Sequence, residues 1–294
     1  MAPRRQTPSV RLRRMAAELR RLRGSADLSR EHVSEQTGIN EATLYRIETA
    51  KAKPQKRTLM ALLNLYEVPA EQREYLFALL KDATKQGWLR PYHSELPEEY
   101  TAYISFENEA QSVRNYESLF LPGLLQDENY ARAVIRGVLP SATDDEVEDR
   151  VRARVERQAV LTKDKALKFW AVVDEAALRR VVGGPAVMSA QLEHLRRMVK
   201  APNITLQVIP FSAGAHPGMP GQFVLMDFED PMDTDLIYID SMAGDLFLES
   251  DADISRYKAI FDNLVAVAHS PQRLGLTHQG SGQRREGEGR LGRP

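Results

Sequence analysis

The sequence predicts a multidomain protein: an all-α helix-turn-helix bundle of about five helices, followed by an α+β domain with a small mixed sheet. Three observations carry this expectation. A length of 294 residues suggests about two domains. Apolar residues recur at spacings of three and four up to about residue 83, after which helix and strand patterns mix. The net charge of −1 conceals a division: residues 1–90 carry 18 Lys+Arg against 10 Asp+Glu, residues 91–269 carry 17 against 29, and residues 270–294 carry 5 against 2. A basic head on an acidic body points to a head that meets a polyanion.

In the head, Leu12, Met15, Ala16, Leu19 and Leu22 mark a first helix that Gly24 stops. Ser29 is a good N-cap for a second helix ending at Thr37, with Val33 inward. Gly38 follows where a sharp turn needs a positive φ, and Ile39 plugs the corner. Asn40 caps a third helix, "EATLYRIE", whose buried face holds Leu44 and Ile47. Pro54 restricts the end of the next loop, "TLMALLNLY" is a fourth helix, and a fifth begins at Pro69. Two short helices joined by a tight Gly turn inside such a bundle is helix-turn-helix geometry.

Gly87, Pro91 and Pro97 interrupt the helical pattern, so residues 86–97 are expected to link a domain over 10–85 to one over 98–275. Residues 1–9 and 276–294 are expected to be a disordered arm and tail. In the body, "EEYTAYISFENEAQSV" reads as a helix, and "RNYESLFLPGLLQ" as extended chain that breaks at Pro122-Gly123. Asp127 caps a helix, and Thr143 with Glu146 forms a capping box on the next. That helix has Val147, Val151, Val155 and Ala159 as its expected inner stripe and a mixed-charge outer face expected in solvent. "LKFWAVVD", "NITLQVIPF", "GQFVLMDF", "DLIYIDSM" and "GDLFLES" supply about five strands, with a helix from "PAVMSAQLEHLRRMVK" between the first two. The closing helix turns Ile254, Tyr257, Ile260, Phe261, Leu264 and Val265 inward.

The set Gly38, Asn40, Thr43, Leu44, Ile47, Glu48, Lys51, Lys53 and Pro54 resembles the Xre family of lambda-repressor-like DNA-binding domains over residues 10–82. Ser34 stands where that family often has Ala, and Ala50 where it often has Gly. The resemblance implies that the third helix enters the major groove with Glu41, Ala42 and Arg46 at base edges. Arg46 can donate twice to a guanine, Glu41 can accept from a cytosine amine, and Ala42 can touch a thymine methyl. Asn40 and Thr43 would meet phosphate or base, while Arg30, Lys51, Lys53, Lys56 and Arg57 would position the backbone. Glu48 corresponds to a buried helix-end acid, and Tyr45 is either core edge or a phosphate contact.

The segments "FLPGLLQDENYARAVI", "RVERQAVL", "VVDEAALRRVVGG" and "NITLQVIPFSAGAHPGMPGQFVLMDF" resemble a C-terminal module of antitoxin-like regulators from high-GC Gram-positive bacteria. That resemblance implies a short partner protein encoded nearby, with Asp240 a possible contact of shorter reach than the Glu frequent there. A small-molecule-sensing transcription factor is the alternative, and an enzyme with a DNA-targeting head a lesser one. His216, in "PFSAGAHPG" between two expected strands, is the best candidate for a ligand or partner site, and also reads as a hydrogen-bonded turn residue. Asp174 and Glu175 read as helix-face or capping acids. The absence of cysteine removes disulfides and thiolate chemistry, the histidines lack ligand spacing, and no catalytic or phosphate-loop motif occurs. The expectation is therefore a cytoplasmic, non-catalytic protein without metal or cofactor, whose partners are double-stranded operator DNA, a short protein and a second copy of itself, with no membrane.

Overall fold

The computed structural model describes residues 10–82, 96–230, 233–241 and 244–269. The expected arm at 1–9, most of the expected linker at 86–97 and the expected tail at 276–294 lie outside the described residues.

The N-terminal bundle comprises α1 (Val10–Ser25), α2 (Arg30–Thr37), α3 (Glu41–Glu48), α4 (Lys56–Leu65) and α5 (Ala70–Asp82). Met15, Leu19, Val33, Leu44, Ile47, Leu59, Leu63 and Leu76 fill its core. The caps are where the side chains suggest: Ser29 Oγ accepts from His32 N at 3.0 Å, and Asn40 Oδ1 from Ala42 N at 2.9 Å. Gly38 adopts φ 71°, the left-handed conformation that closes α2 and that a Cβ would strain. Ala50 also lies in that region, at φ 55°, because Lys51 N and Ala52 N both return to Arg46 O after α3. This backbone explains why the position favours Gly among the domains the head resembles. α4 starts two residues before its apolar run, since Lys56 and Arg57 form an exposed first turn.

The second domain is α/β. Its order is α6 (Glu98–Glu109), β1 (Ser112–Glu117), α7 (Glu128–Val138), α8 (Asp144–Arg157), β2 (Lys168–Asp174), α9 (Glu175–Arg179), α10 (Pro185–Met198), β3 (Ile204–Ile209), β4 (Phe223–Asp227), β5 (Leu236–Ile239), β6 (Leu246–Leu248) and α11 (Asp251–Val267). The strands form one mixed six-stranded sheet in the order β3-β2-β1-β4-β5-β6. β1, β2 and β3 are parallel and are joined by helical crossovers; β4, β5 and β6 add antiparallel. α6, α7, α8 and α10 contribute to the core on one face, which includes Phe106, Val113, Tyr130, Ala153, Phe169, Leu195 and Met226. α11 covers the other, packing Ile254, Phe261 and Leu264 on Tyr116, Val172, Leu225 and Ile237.

Three sequence expectations are corrected. The sheet has six strands because β1 joins the five expected; the helix before it stops at Glu109, and Ser112 and Val113 pair with β2 instead. Val155 and Ala159 are exposed, since residues four apart drift around a helix by about 40° per step. Ala153 and Arg157 take the inner positions. Nor is the charged face of α8 all in solvent: Arg157 is 4% exposed and its Nε lies 2.9 Å from Glu107 Oε1. Pro122-Gly123 forms the bed for it. A Cβ on Gly123 would stand 2.6 Å from Arg157 Nη2, so a larger residue there would displace the guanidinium.

The two domains touch through α1. Arg11 Nε pairs with Glu109 Oε1 at 3.2 Å, and Arg14 Nε donates to Asp233 Oδ1 at 3.0 Å. Arg13 donates to Thr234 O at 3.1 Å, pairs with Glu249 at 3.2 Å and stacks over Phe106 at 5.3 Å. The acidic body thus takes up part of the basic charge of the head.

Candidate nucleic-acid interface

The surface around α3 follows from its amphipathic spacing. With Leu44, Ile47 and Glu48 buried, Glu41, Ala42, Thr43, Tyr45 and Arg46 are left exposed, with Asn40 exposed at the cap. The sequence-predicted base-reading set is therefore assembled on one helix N-terminus and its outer face, where peptide dipoles favour an anion.

Glu48 ties this surface to the bundle. It is 4% exposed and accepts from Arg23 Nε at 2.6 Å, Arg23 Nη2 at 3.2 Å and Arg30 Nε at 2.7 Å. The hydrogen bond to Glu48 raises the Arg23 pKa above its ordinary value. One carboxylate thus holds the end of α1, the start of α2 and the end of α3 in a fixed relation. Arg30, expected to meet phosphate, already commits its Nε to Glu48; its guanidinium lies 5.4 Å from the Tyr45 ring centre. Lys51 Nζ is 5.1 Å from the same ring. Tyr45, 45% exposed, is therefore a surface residue flanked by two cations. Lys53, Lys56 and Arg57 extend the basic strip, and all three are exposed; Lys56 Nζ reaches over Phe77 at 6.0 Å. The Tyr45 pair was not foreseen, although Arg30, Tyr45 and Lys51 are individually visible in the sequence.

His216 and Asp240 are separated by the structure. His216 is half-buried beside Asp174, with Nε2 3.3 Å from Asp174 Oδ2, while Gly218 N donates to its Nδ1 at 3.3 Å. Both ring nitrogens are thereby engaged in a turn. Asp174 also caps α9, accepting from Ala176 N at 2.8 Å, and Glu175 accepts from Phe211 N at 2.8 Å. Asp240 instead lies exposed at the mouth of a cavity of about 330 Å³ bordered by β1, α8 and β5. Among the described residues, no group of three or more His, Asp or Glu is placed to hold a metal, and no helix is long and apolar enough to cross a membrane.

Residues 14–76 match the family described as a helix-turn-helix domain. Residues 100–273, more than half of the chain, match the family described as a domain of unknown function, DUF5753. The chain belongs to the DUF5753 family. No curated protein and no solved structure matches it. The DUF5753 region takes in all six strands, and the helix-turn-helix match begins inside α1 and ends inside α5. This DUF5753 protein is thus built as a DNA-binding regulator, with its helix-turn-helix head fused to the α/β domain.

Proposed function

We propose that the protein is a sequence-specific transcriptional regulator of the Xre type and that its DUF5753 domain controls when the head acts on DNA. The observation that carries the reading is the α2–Gly38–α3 unit, which buries Leu44 and Ile47 and presents Glu41, Ala42 and Arg46 outward. In this reading α3 lies in the major groove and Arg46 donates to a guanine. Asn40, Thr43, Arg30, Lys51, Lys53, Lys56 and Arg57 hold the sugar-phosphate backbone. Two copies read paired half-sites about 34 Å apart. The body is non-catalytic and antitoxin-like: it docks a short protein encoded nearby, and the complex acts in the cytoplasm at the nucleoid. The acidic excess of residues 91–269 supports a partner-facing role, since it does not favour DNA.

The test compares wild type with Arg46→Ala on the protein's own upstream region and on random DNA. A loss of about tenfold or more confined to the upstream region is expected for one bidentate base contact. An equal loss on both DNAs would reduce Arg46 to a phosphate contact. Co-expression of the adjacent short reading frame with the full chain should give a stable complex, and its absence would remove the antitoxin-like reading. A second reading, a small-molecule sensor, is favoured by the cavity beside Asp240.

A further inference from the structure

The strand in the middle of the sheet is an unusual one. Strands flanked on both sides and covered on both faces are ordinarily apolar, yet β1 reads "SVRNYE". Its alternation explains where the polar groups go. Arg114 and Tyr116 face α11, with Arg114 5.9 Å over the Phe261 ring. On the opposite face Val113 enters the core, while Asn115 and Glu117 border the cavity of about 330 Å³. A central strand that breaks local rule in this way marks a site where something other than packing is served.

The cavity has two electrical ends. On the α8 side, Arg154 donates Nη1 to Gln126 Oε1 at 3.1 Å, but its buried Nε has no acceptor. No carboxylate stands within ion-pair distance of Arg154 among the described residues. A buried guanidinium N–H without an acceptor is costly and rare in native proteins. The neighbouring Tyr100 hydroxyl reports the local field. Burial opposes its ionisation, yet Arg157 and Arg154 together draw its pKa below the ordinary value. On the opposite side stand Glu117, Asp240 and Asp245. Glu117 receives one long hydrogen bond, from Asn115 Nδ2 at 3.4 Å, and burial pushes its pKa up to about 7, with Asp240 adding to the rise and Asn115, Arg154 and Arg157 opposing it. Burial likewise raises Asp245, despite a 2.9 Å hydrogen bond from Tyr238. Between the ends, Tyr103 and Tyr238 stack at 4.2 Å and Phe223 adds apolar surface.

We infer that this cavity binds a small zwitterion with an apolar body, of the size of a free amino acid, its carboxylate on Arg154 and its ammonium on Glu117 and Asp240. An anion alone would face the acidic wall, and a cation alone would face Arg154; a zwitterion satisfies both without burying net charge. The volume lies at the small end of ligand sites. The position also gives such a ligand a consequence. Asp245 at the cavity and Glu249 on Arg13 of α1 bracket β6, and Phe247 between them packs on Phe106 at 5.6 Å, under Arg13. Occupancy and docking of the head thus share one three-residue strand. That consequence rests on the reading of the DUF5753 domain as the controlling half; the binding itself does not.

The test titrates the full chain, without DNA, by calorimetry and thermal shift. The probes are phenylalanine, phenylacetate and phenethylamine, which share a ring and differ in charge, followed by each standard amino acid. A zwitterion is expected to bind about tenfold or more tightly than its matched anion or amine, the effect of one charged hydrogen bond. Arg154→Met should weaken the amino acid by about that factor while the amine binds as well or better, and Glu117→Gln should weaken the amino acid while the anion binds as well or better. Arg154→Lys, which keeps the charge and loses the fork, should recover part of the affinity. Circular dichroism of each variant separates lost binding from lost fold. If no amino acid binds, if phenylacetate or phenethylamine binds as tightly as phenylalanine, or if folded Arg154→Met binds unchanged, the inference is wrong. A separate DNA titration shows whether the regulator reading stands or falls independently.

Discussion

Arg14 Nε of α1 donates to Asp233 Oδ1 across the domain boundary at 3.0 Å, and the Asp233 side chain is only 3% exposed. The hydrogen bond to Asp233 raises the Arg14 pKa further above its ordinary value. The ordinary cost of pulling an acid from water is offset here because a guanidinium fork meets both its oxygens. With Arg13 on Glu249 and Arg11 on Glu109, it makes α1 the element by which the body holds the head.

A double-mutant cycle should detect that hold. Arg14→Ala and Asp233→Asn should each destabilise the junction and couple by about 1–2 kcal/mol, the range for charged hydrogen bonds with a buried partner. Urea unfolding of the single and double variants measures it. Additive effects would mean that the pair contributes nothing to docking.

Glu48→Gln should cost about 3 kcal/mol, because two arginines lose a shared, buried carboxylate. DNA affinity should fall with it, although Glu48 is buried and not on the exposed face of α3. Calorimetric melting gives the first number and a binding titration the second. Unchanged stability would show that Arg23 and Arg30 hold α1, α2 and α3 without it.

Gly38→Ala should destabilise the head by about 1 kcal/mol, since L-residues pay for the left-handed region. The loss should appear as an earlier unfolding transition of the bundle. No loss at all would mean that the turn between α2 and α3 can relax to another backbone.

The raised pKa of Glu117 has a defined sign. Its folded value of about 7 exceeds the ordinary 4.5, so between these values the folded state binds more protons than the unfolded one. Stability from this group is therefore present below about pH 4.5, declines as pH rises toward 7, and is lost above it. Glu117→Gln should flatten that decline and make the protein more stable than wild type above neutrality. Urea midpoints across the pH range check this; parallel curves for the two proteins would refute it.

Lys51→Gln and Lys53→Gln should each reduce the slope of log affinity against log salt by about 1, with equal effect on specific and random DNA. A loss on specific DNA alone would place the lysine at a base.

Much of this was open to reading in advance. The caps at Ser29, Asn40, Asp127 and Thr143 and the inward residues of α11 depend on contacts a few residues apart, so local pattern is sufficient to find them. The outward placement of Glu41, Ala42 and Arg46 on α3 follows from the same periodicity once Leu44 and Ile47 are inside. β1 was only partly legible. Its polar residues conceal a strand whose place is set by β2, some fifty residues on, and by β4, more than a hundred residues on. Arg157 read as part of a solvated helix face because its partner Glu107 lies far off in sequence.

The sequence by itself determined the two-domain plan, the helix-turn-helix unit, the exposed set Glu41, Ala42 and Arg46, and the division of charge, all of which arise from short-range periodicity and composition. Only the tertiary structure decided that Glu48 joins three helices, that α1 is bound to Asp233, Glu249 and Glu109, and that Arg154 and Glu117 stand on opposite sides of one cavity. Those pairings are long-range electrostatics. A charge reveals its sign in a sequence, but its partner is chosen by the fold that brings distant segments together and removes the water between them.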